Sequence, residues 1–286
     1  MRATSKMLKP KSSHCPQLGP FQLMSSPLRR GSLWLYSSSI SEGERCAVWR
    51  SAGNIFILTL TGPGEHRLNP TLLDAISAAL SRVRAESSMS FALITTAEGK
   101  FFSNGYDLAW ASASGVFLDR SKLMSSKLRS LVADLISLPM PTIAAISGHC
   151  SAAAAIIALS HDYVLMRNDR GFIYMPELDI GIKIPDWWFV ALIRSKIGAP
   201  RSQRELMLRA AKLTAHDALN WGIIDSAHNS TEETVRAAIR LGEELVGRKW
   251  DGHVYAQIRM RMLADVFDKV GCDESVGEVS HTRTRL

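Results

Sequence analysis

Three short segments combine small residues, turns and a carboxylate in ways that suit chemistry at a polarised oxygen. In residues 100–108 (KFFSNGYDL), Gly105 allows a sharp turn that points a backbone N–H outward. In residues 139–155 (PMPTIAAISGHCSAAAA), a strand passes through a loop of small residues into a helix, whose first N–H groups lack internal partners and suit a developing oxyanion. In residues 173–182 (IYMPELDIGI), Glu177 lies in an apolar loop, where burial would raise its pKa and suit a general base.

Strands and helices alternate around these segments, which predicts an α/β fold with parallel strand pairing. Short β-branched or apolar runs predict the strands, and apolar residues at helical spacing predict the helices. The predicted strands are 54–60, 91–96, 142–147 and 163–166. The predicted helices are 71–85, 121–137, 152–160, 186–196, 201–211, 215–221, 231–246 and 254–270.

The three segments resemble, in order and spacing, the motifs of the crotonase (enoyl-CoA hydratase/isomerase) family. FFSNGYDL resembles its F-x-x-G-x-D-L segment, PTIAAISG its P-x-I-A-A-I-x-G segment, and MPELDIGI its P-E-x-x-x-G segment. Within the family, GPGEHRLNP, ITTAEGKFFSNGYDLAWA and ALSHDYVLMR resemble the plant peroxisomal enoyl-CoA isomerases. The resemblance covers about residues 54–225 and implies a crotonase-like (ClpP/crotonase) fold of repeated ββα units, with a C-terminal helical region.

The resemblance also implies a role for each residue of the site. The backbone N–H groups of Tyr106 and Ala153 would form an oxyanion hole for the thioester oxygen of an acyl-CoA. The family's hydratases use two glutamates; Glu177 matches one of them, and Ile156 stands in the place of the other. A single carboxylate disfavours hydration and favours a Δ3,Δ2-enoyl-CoA isomerase of fatty acid β-oxidation, in which Glu177 moves a proton from C2 to C4. The other residues expected at the substrate or CoA are Arg67, Ser103, Asn104, Gly105, Asp107, His149 and Trp187.

Ordinary structural roles compete with these assignments. Asp107 could instead fix its loop, and His149 could simply pack against its neighbours. Trp187 could be an ordinary core residue, and Arg67 could be a solvated surface side chain. Ala152–Ala154 replaces a turn that is Gly-rich in many relatives, and its methyl groups are expected to restrict the backbone to negative φ. Ser160, His161 and Asp162 spell a catalytic triad, but triad members converge from separate segments, so we predict none.

Two other functions stay open on the sequence: another enolate-forming acyl-CoA reaction (hydration, thioester hydrolysis or decarboxylation) and non-catalytic acyl-CoA binding. The formal net charge of +7 comes largely from residues 1–41, which hold six basic and no acidic residues. A basic nucleic-acid-binding surface on the folded part is therefore weakly supported. The four cysteines match no common zinc spacing, and no dinucleotide glycine fingerprint occurs, so we expect no metal and no cofactor beyond the CoA of the substrate.

Composition sets residues 1–45 apart as a disordered or targeting extension. The resemblance implies a crotonase-like core domain (46–225), followed by a C-terminal helical region (226–286). The final Thr284-Arg285-Leu286 resembles a weak peroxisomal signal, whereas the basic, Ser-rich start resembles a mitochondrial or plastid transit peptide. No apolar run approaches the roughly 20 residues that a membrane-spanning helix needs. Because the late helices of the family pack between subunits, a homotrimer or hexamer is expected.

Overall fold

The computed structural model describes residues 35–37, 45–51, 54–62, 64–86, 90–113, 115–188 and 193–270. These residues belong to one compact α/β unit. They form ten strands: β1 (Leu35–Ser37), β2 (Arg45–Ser51), β3 (Ile55–Thr61), β4 (Ala92–Ala97), β5 (Phe101–Ser103), β6 (Thr142–Ile146), β7 (His149–Ser151), β8 (Tyr163–Arg167), β9 (Ile173–Tyr174) and β10 (Ser226–His228).

Eleven helices complete the described part of the chain. They are α1 (Pro70–Glu86), α2 (Leu108–Ser112), α3 (Phe117–Ile136), α4 (Ala153–Leu159), α5 (Asp186–Trp188), α6 (Arg194–Lys196), α7 (Pro200–Met207), α8 (Ala215–Asn220), α9 (Thr231–Gly247), α10 (Gly252–Met262) and α11 (Ala264–Val270). No helix within the described ranges is long and apolar enough to cross a bilayer.

The main sheet has seven strands in the order β1-β2-β3-β4-β6-β8-β10. The pairs β1–β2 and β2–β3 are antiparallel, and every pair from β3 to β10 is parallel. Successive residues of β3 enter different cores: Phe56 and Leu58 pack on the side of α1 and α3, and Ile55 and Ile57 on the side of α9. Burial on both faces explains why these strands read as continuous apolar runs.

A second, smaller sheet positions the site. Its three parallel strands lie in the order β5-β7-β9, so their carboxyl ends meet at one edge. The chain leaves that edge into residues 104–106 after β5, residues 152–153 after β7 and residues 175–177 after β9. Each of the three sequence segments singled out for chemistry therefore emerges from a strand of this sheet.

The predicted strands and the long helices are confirmed, and several short elements differ from prediction. β1, β2, β5, β7, β9 and β10 were not predicted. All of them except the seven-residue β2 are runs of two or three residues, which carry no measurable period. The helix predicted over 254–270 is broken at Leu263, and both Leu263 and Val266 are buried in the core. The helix predicted over 201–211 ends at Met207, and residues 189–192, within the helix predicted over 186–196, lie outside the described residues.

The three-part division of the chain stays a prediction. Most of the extension predicted over 1–45 lies outside the described residues, although β1 falls within it and pairs with β2. Beyond residue 225, β10 extends the main sheet and α9 covers one face of it, so this part of the C-terminal region contributes to the same core. Residues 271–286, with the C-terminal tripeptide, also lie outside the described ranges.

Candidate active site

The first backbone donor belongs to Tyr106, at the end of the turn that follows β5. Gly105 has φ +71°, in the left-handed region that favours glycine. A Cβ on Gly105 would lie 2.8 Å from Ala152 Cβ and 3.0 Å from the Ser151 carbonyl oxygen, too close for any side chain. Gly105 therefore allows this turn to lie directly against the turn that follows β7.

The second donor belongs to Ala153, the first residue of α4, and it depends on an unusual backbone conformation. Ala152 has φ 53° and ψ −127°, which corrects the expectation that methyl groups keep this turn at negative φ. Neighbouring bonds hold the conformation: Ala152 N–H donates to the Tyr174 carbonyl at 3.1 Å, and Ala155 N–H donates to the Ala152 carbonyl at 2.9 Å. Tertiary contacts thus impose on an alanine a conformation that costs about 1–2 kcal/mol.

The two donors converge. The position that a Gly105 Cβ would occupy is 3.4 Å from the Ala153 nitrogen, and Tyr106 is the next residue along the chain. Neither the Tyr106 nor the Ala153 N–H donates to a protein acceptor among the described residues. A pair of adjacent, unpaired N–H groups can stabilise an oxygen that gains negative charge during a reaction.

Glu177 is the buried carboxylate of the site. It follows Tyr174 by three residues and is only 4% exposed. Neither of its carboxyl oxygens has a hydrogen-bond partner within the described ranges, and burial raises the pKa of this carboxyl to about 7. A carboxyl group with this pKa can accept and return a proton near neutral pH.

Aromatic side chains surround the same region. The rings of Tyr106 and Trp188 lie 5.8 Å apart, and Trp187 meets Trp188 edge-on at 6.0 Å. Burial raises the pKa of the Tyr106 hydroxyl, and the nearby Glu177 carboxylate raises it further. Both indole N–H groups are buried without a protein acceptor in the described part of the chain. The surroundings of Glu177 are therefore largely apolar, which explains its raised pKa.

Four of the predicted site residues form structural contacts with their side chains. Ser103 Oγ donates to the His66 carbonyl at 2.6 Å, and Asp107 accepts the Trp110 N–H at 2.9 Å as the N-cap of α2. Trp187 is fully buried beside Trp188. Asn104 bonds with both ends of its amide, to residues described below.

Arg67 and His149 lie in more open positions. Arg67 forms an ion pair with Glu65 at 2.5 Å, and both side chains are more than a third exposed. The His149 ring lies between Phe101 and Phe172, with ring centroids at 5.1 and 5.5 Å. Partial burial lowers the pKa of His149, and nearby cations, Lys100 foremost, lower it further. Both residues are accessible to a ligand that approaches the small sheet from outside.

Ile156 and the triad letters have definite places in the structure. Ile156 is fully buried on α4, where the resemblance to hydratases would place a second glutamate. Ser160 Oγ donates to the Ile156 carbonyl, His161 Nε2 contacts Thr95 Oγ1 at 2.8 Å, and Asp162 pairs with Arg259 at 2.6 Å. The three triad letters thus have separate partners, as predicted.

Within the described ranges, no three metal-ligating side chains of His, Cys, Asp or Glu gather closely enough to hold a metal ion.

Sequence reasoning missed Glu65 and Ser151, whose side chains join the two donor turns. Ser151 Oγ donates to Asn104 Oδ1 at 2.6 Å, and Asn104 Nδ2 donates to Glu65 Oε2 at 2.8 Å. These partners are 47 and 39 residues apart in sequence. No local pattern reports such contacts, since they arise only when β5 and β7 pair.

Comparison with known sequences identifies a family and several relatives that resemble this chain. The profile of the family described as "Enoyl-CoA hydratase/isomerase" matches residues 50–269. The Arabidopsis thaliana protein named enoyl-CoA delta isomerase 1, peroxisomal, is 59% identical over 213 residues, which cover 74% of this chain and 87% of that protein. Enoyl-CoA delta isomerase 2, peroxisomal, from the same plant is 47% identical over 228 residues, covering 78% of this chain and 95% of that protein.

A solved structure agrees with the fold. The apo enoyl-CoA isomerase of Mycobacterium tuberculosis superposes with a TM-score of 0.70 at 22% identity, over 81% of this chain and 95% of that one. The paired donor turns, the buried carboxylate and these likenesses define one class of protein. The chain belongs to the enoyl-CoA hydratase/isomerase (crotonase) family.

Proposed function

We propose that this protein is a Δ3,Δ2-enoyl-CoA isomerase that converts 3-enoyl-CoA into trans-2-enoyl-CoA in fatty acid β-oxidation. The observation that carries the proposal is Glu177, a buried carboxylate with a pKa of about 7 that leaves the small sheet at the same edge as the two convergent backbone donors. The names of the Arabidopsis relatives, at 59% and 47% identity, support the same reaction. An acyl-CoA is accordingly the proposed substrate.

The proposed reaction uses one carboxylate twice. The Tyr106 and Ala153 N–H groups bind the thioester oxygen, and Glu177 removes a proton from C2. The electron pair of the C2–H bond forms an enolate conjugated with the C3–C4 double bond, and its charge gathers on the bound oxygen. The Glu177 carboxyl then returns the proton to C4, which leaves the double bond between C2 and C3 and restores the carboxylate. Losing one donor of this kind costs about 2.7–4 kcal/mol of barrier in other enzymes.

Ile156 favours isomerisation over hydration. A hydratase has to position and activate a water molecule between two carboxylates, whereas the returned proton needs only one. A buried isoleucine side chain on α4 cannot hold a water molecule by hydrogen bonds. The reaction as drawn involves no metal and no redox cofactor, because the same carboxyl group supplies the only proton that moves.

The aromatic wall and the exposed cation suggest how the substrate is oriented. Trp188 and Tyr106 would line the acyl part of the pocket, with Trp187 supporting Trp188 from behind. Arg67 is partly exposed, and the segment that carries it bonds to the first donor turn through Leu68 and Glu65; this side chain would contact the CoA nucleotide. In this arrangement the thioester lies at the edge of the small sheet, with the acyl chain of the substrate on the aromatic side and its CoA nucleotide on the side of Arg67.

Assembly and location extend the proposal. Val254, Ile258 and Met262 of α10 form an exposed apolar stripe, and such a stripe fits the homotrimer or hexamer expected for the family. An Ile258→Glu variant should then sediment as a smaller species than the wild type. The relatives named peroxisomal, together with Thr284-Arg285-Leu286, support a peroxisomal location.

Product analysis tests the proposed reaction directly. The full chain is incubated with 3-hexenoyl-CoA and, separately, with saturated hexanoyl-CoA, each with and without a metal chelator. The proposal expects trans-2-hexenoyl-CoA from the first substrate, no free CoA from the second, and equal rates with the chelator. Release of CoA from hexanoyl-CoA would instead identify a thioesterase. A 3-hydroxy product from trans-2-hexenoyl-CoA supplied in a third incubation, with no conversion of 3-hexenoyl-CoA, would identify a hydratase.

A further inference from the structure

A chain of three polar side chains spans the gap between the two donor turns. Ser151 Oγ donates to Asn104 Oδ1 at 2.6 Å, and Asn104 Nδ2 donates to Glu65 Oε2 at 2.8 Å. The Asn104 backbone N–H also donates to the Glu65 carbonyl at 2.9 Å. We call these three side chains the Glu65–Asn104–Ser151 bridge.

The partners determine the direction of every bond in the bridge. A carboxylate accepts hydrogen bonds and donates none, so the Asn104 end that faces Glu65 is its NH₂ group. The Asn104 oxygen therefore faces Ser151, whose hydroxyl has to donate. Because the side-chain amide is planar, one residue fixes the distance between both of its partners.

The bridge is anchored at the Glu65 end. The pKa of Glu65 is lowered, first by its hydrogen bond from Asn104 and then by the charge of Arg67. Arg67 lies 2.5 Å from the Glu65 carboxylate. The same segment also holds the first donor turn by its backbone, because Leu68 N–H donates to the Gly105 carbonyl at 2.8 Å.

The bridge contacts both donor turns at equivalent places. Asn104 precedes the Tyr106 donor by two residues, and Ser151 precedes the Ala153 donor by two residues. Both polar atoms of the Asn104 amide bond within the bridge, and the NH₂ group keeps one further N–H and the oxygen one further lone pair. The contribution to chemistry that these bonds can explain passes through the positions of the two backbone N–H groups.

We propose that Asn104 is a positioning residue, which holds the Tyr106 and Ala153 N–H groups at the separation that a thioester oxygen requires. This inference rests on the proposed function, since it concerns the same oxyanion hole. It replaces the sequence-based expectation that the Asn104 side chain contacts substrate or CoA. A misplacement of about 1 Å in a catalytic constellation can lower a rate about a hundredfold, so a bridge of this kind can control kcat.

Two variants separate positioning from binding. Asn104→Leu removes both ends of the bridge, and Ser151→Ala removes one hydroxyl without adding bulk. The expected result is a fall of about 10- to 100-fold in kcat for Asn104→Leu, with KM within about threefold of the wild type. The double variant should be no slower than Asn104→Leu alone, because both changes break the same bridge. Matched controls are Asn220→Leu on α8 and Ser81→Ala on α1, both exposed and remote from the site.

An infrared measurement reports the oxyanion hole independently of turnover. Trans-2-hexenoyl-CoA labelled with ¹³C at the thioester carbonyl is bound to each protein, and its C=O stretch is compared with that of the free ligand. Two well-placed donors lower this frequency. Both bridge variants should still bind the ligand but should lower its C=O frequency less than the wild type does. If the wild type shows the shift but fails to isomerise 3-hexenoyl-CoA, the proposed reaction fails and the bridge stands.

The opposite outcomes overturn the inference. A wild-type carbonyl shift and wild-type kcat in folded Ser151→Ala and Asn104→Leu would show that the bridge does not position the donors. A rise in KM at unchanged kcat would return Asn104 to the role of a substrate contact. Circular dichroism of each variant establishes folding, and Ser151→Ala, which deletes a single oxygen, still tests the bridge if Asn104→Leu does not fold.

Discussion

Replacing Ala152 with glycine should leave the protein as stable as the wild type or slightly more stable, although the same substitution in an ordinary helix destabilises. Ala152 is held at φ 53°, and an L-residue in this region costs about 1–2 kcal/mol. Glycine removes that strain, while its greater freedom in the unfolded chain costs about 0.4–1 kcal/mol. The expected net change lies between zero and a gain of about 1.6 kcal/mol, and each kcal/mol is equivalent to roughly 2–4 °C in Tm for a chain of this size.

Denaturant unfolding of three variants measures this strain. Ala152→Gly is compared with Ala152→Val, in which a β-branched side chain makes positive φ less favourable still. Ala78→Gly, at an exposed position in the middle of α1, provides the matched control and should lose about 1 kcal/mol. A loss of more than about 1 kcal/mol in Ala152→Gly would refute the reasoning, because contacts of the methyl group would then outweigh backbone strain.

Three further results are expected. Because Glu177 acts as a base in its anionic form, kcat/KM should fall as pH drops below about 7. The pKa of Glu177 is higher in the folded than in the unfolded protein, so the native state binds more protons between about pH 4.5 and 7, and stability declines as pH rises through that window. Glu177→Gln should therefore be more stable than the wild type above pH 7, by up to about 3 kcal/mol in denaturant unfolding. Arg259→Met should lose about 3–5 kcal/mol in the same assay, since it removes the buried cation that pairs with Asp162 and donates to the Ile136 and Met140 carbonyls. Gly105→Ala should lose at least about tenfold in kcat with folding retained by circular dichroism, because its Cβ would lie 2.8 Å from Ala152 Cβ and push the donor turns apart.

Much of the architecture follows from local sequence. The run in β3 is buried on both faces, and residues 71–85 place their apolar side chains on one face of a helix, so both patterns identify their elements directly. The strands of the small sheet differ, because β7 has three residues and β9 has two. Their formation depends on pairing with each other, and no window of sequence contains that information.

The candidate site was predictable only in part, for a similar reason. The place of Glu177 and of the two donor turns follows from motif resemblance, since the motifs lie within single loops. The conformation of Ala152 and the partners of Asn104 depend on residues far along the chain, with Ser151 47 positions away. Asn104 was accordingly expected at the substrate, whereas both ends of its amide bond within the protein.

In the proposed reaction one carboxylate, Glu177, carries the proton. The most direct measurement is the rate at which Glu177→Gln converts 3-hexenoyl-CoA into trans-2-hexenoyl-CoA, compared with the wild type and with Glu243→Gln, a control at an exposed position on α9. We expect Glu177→Gln to lose at least about a hundredfold in kcat, the lower end for general acid–base catalysis, and Glu243→Gln to match the wild type. An equally active Glu177→Gln would contradict the proposed reaction, because the proton would then have to move through another group.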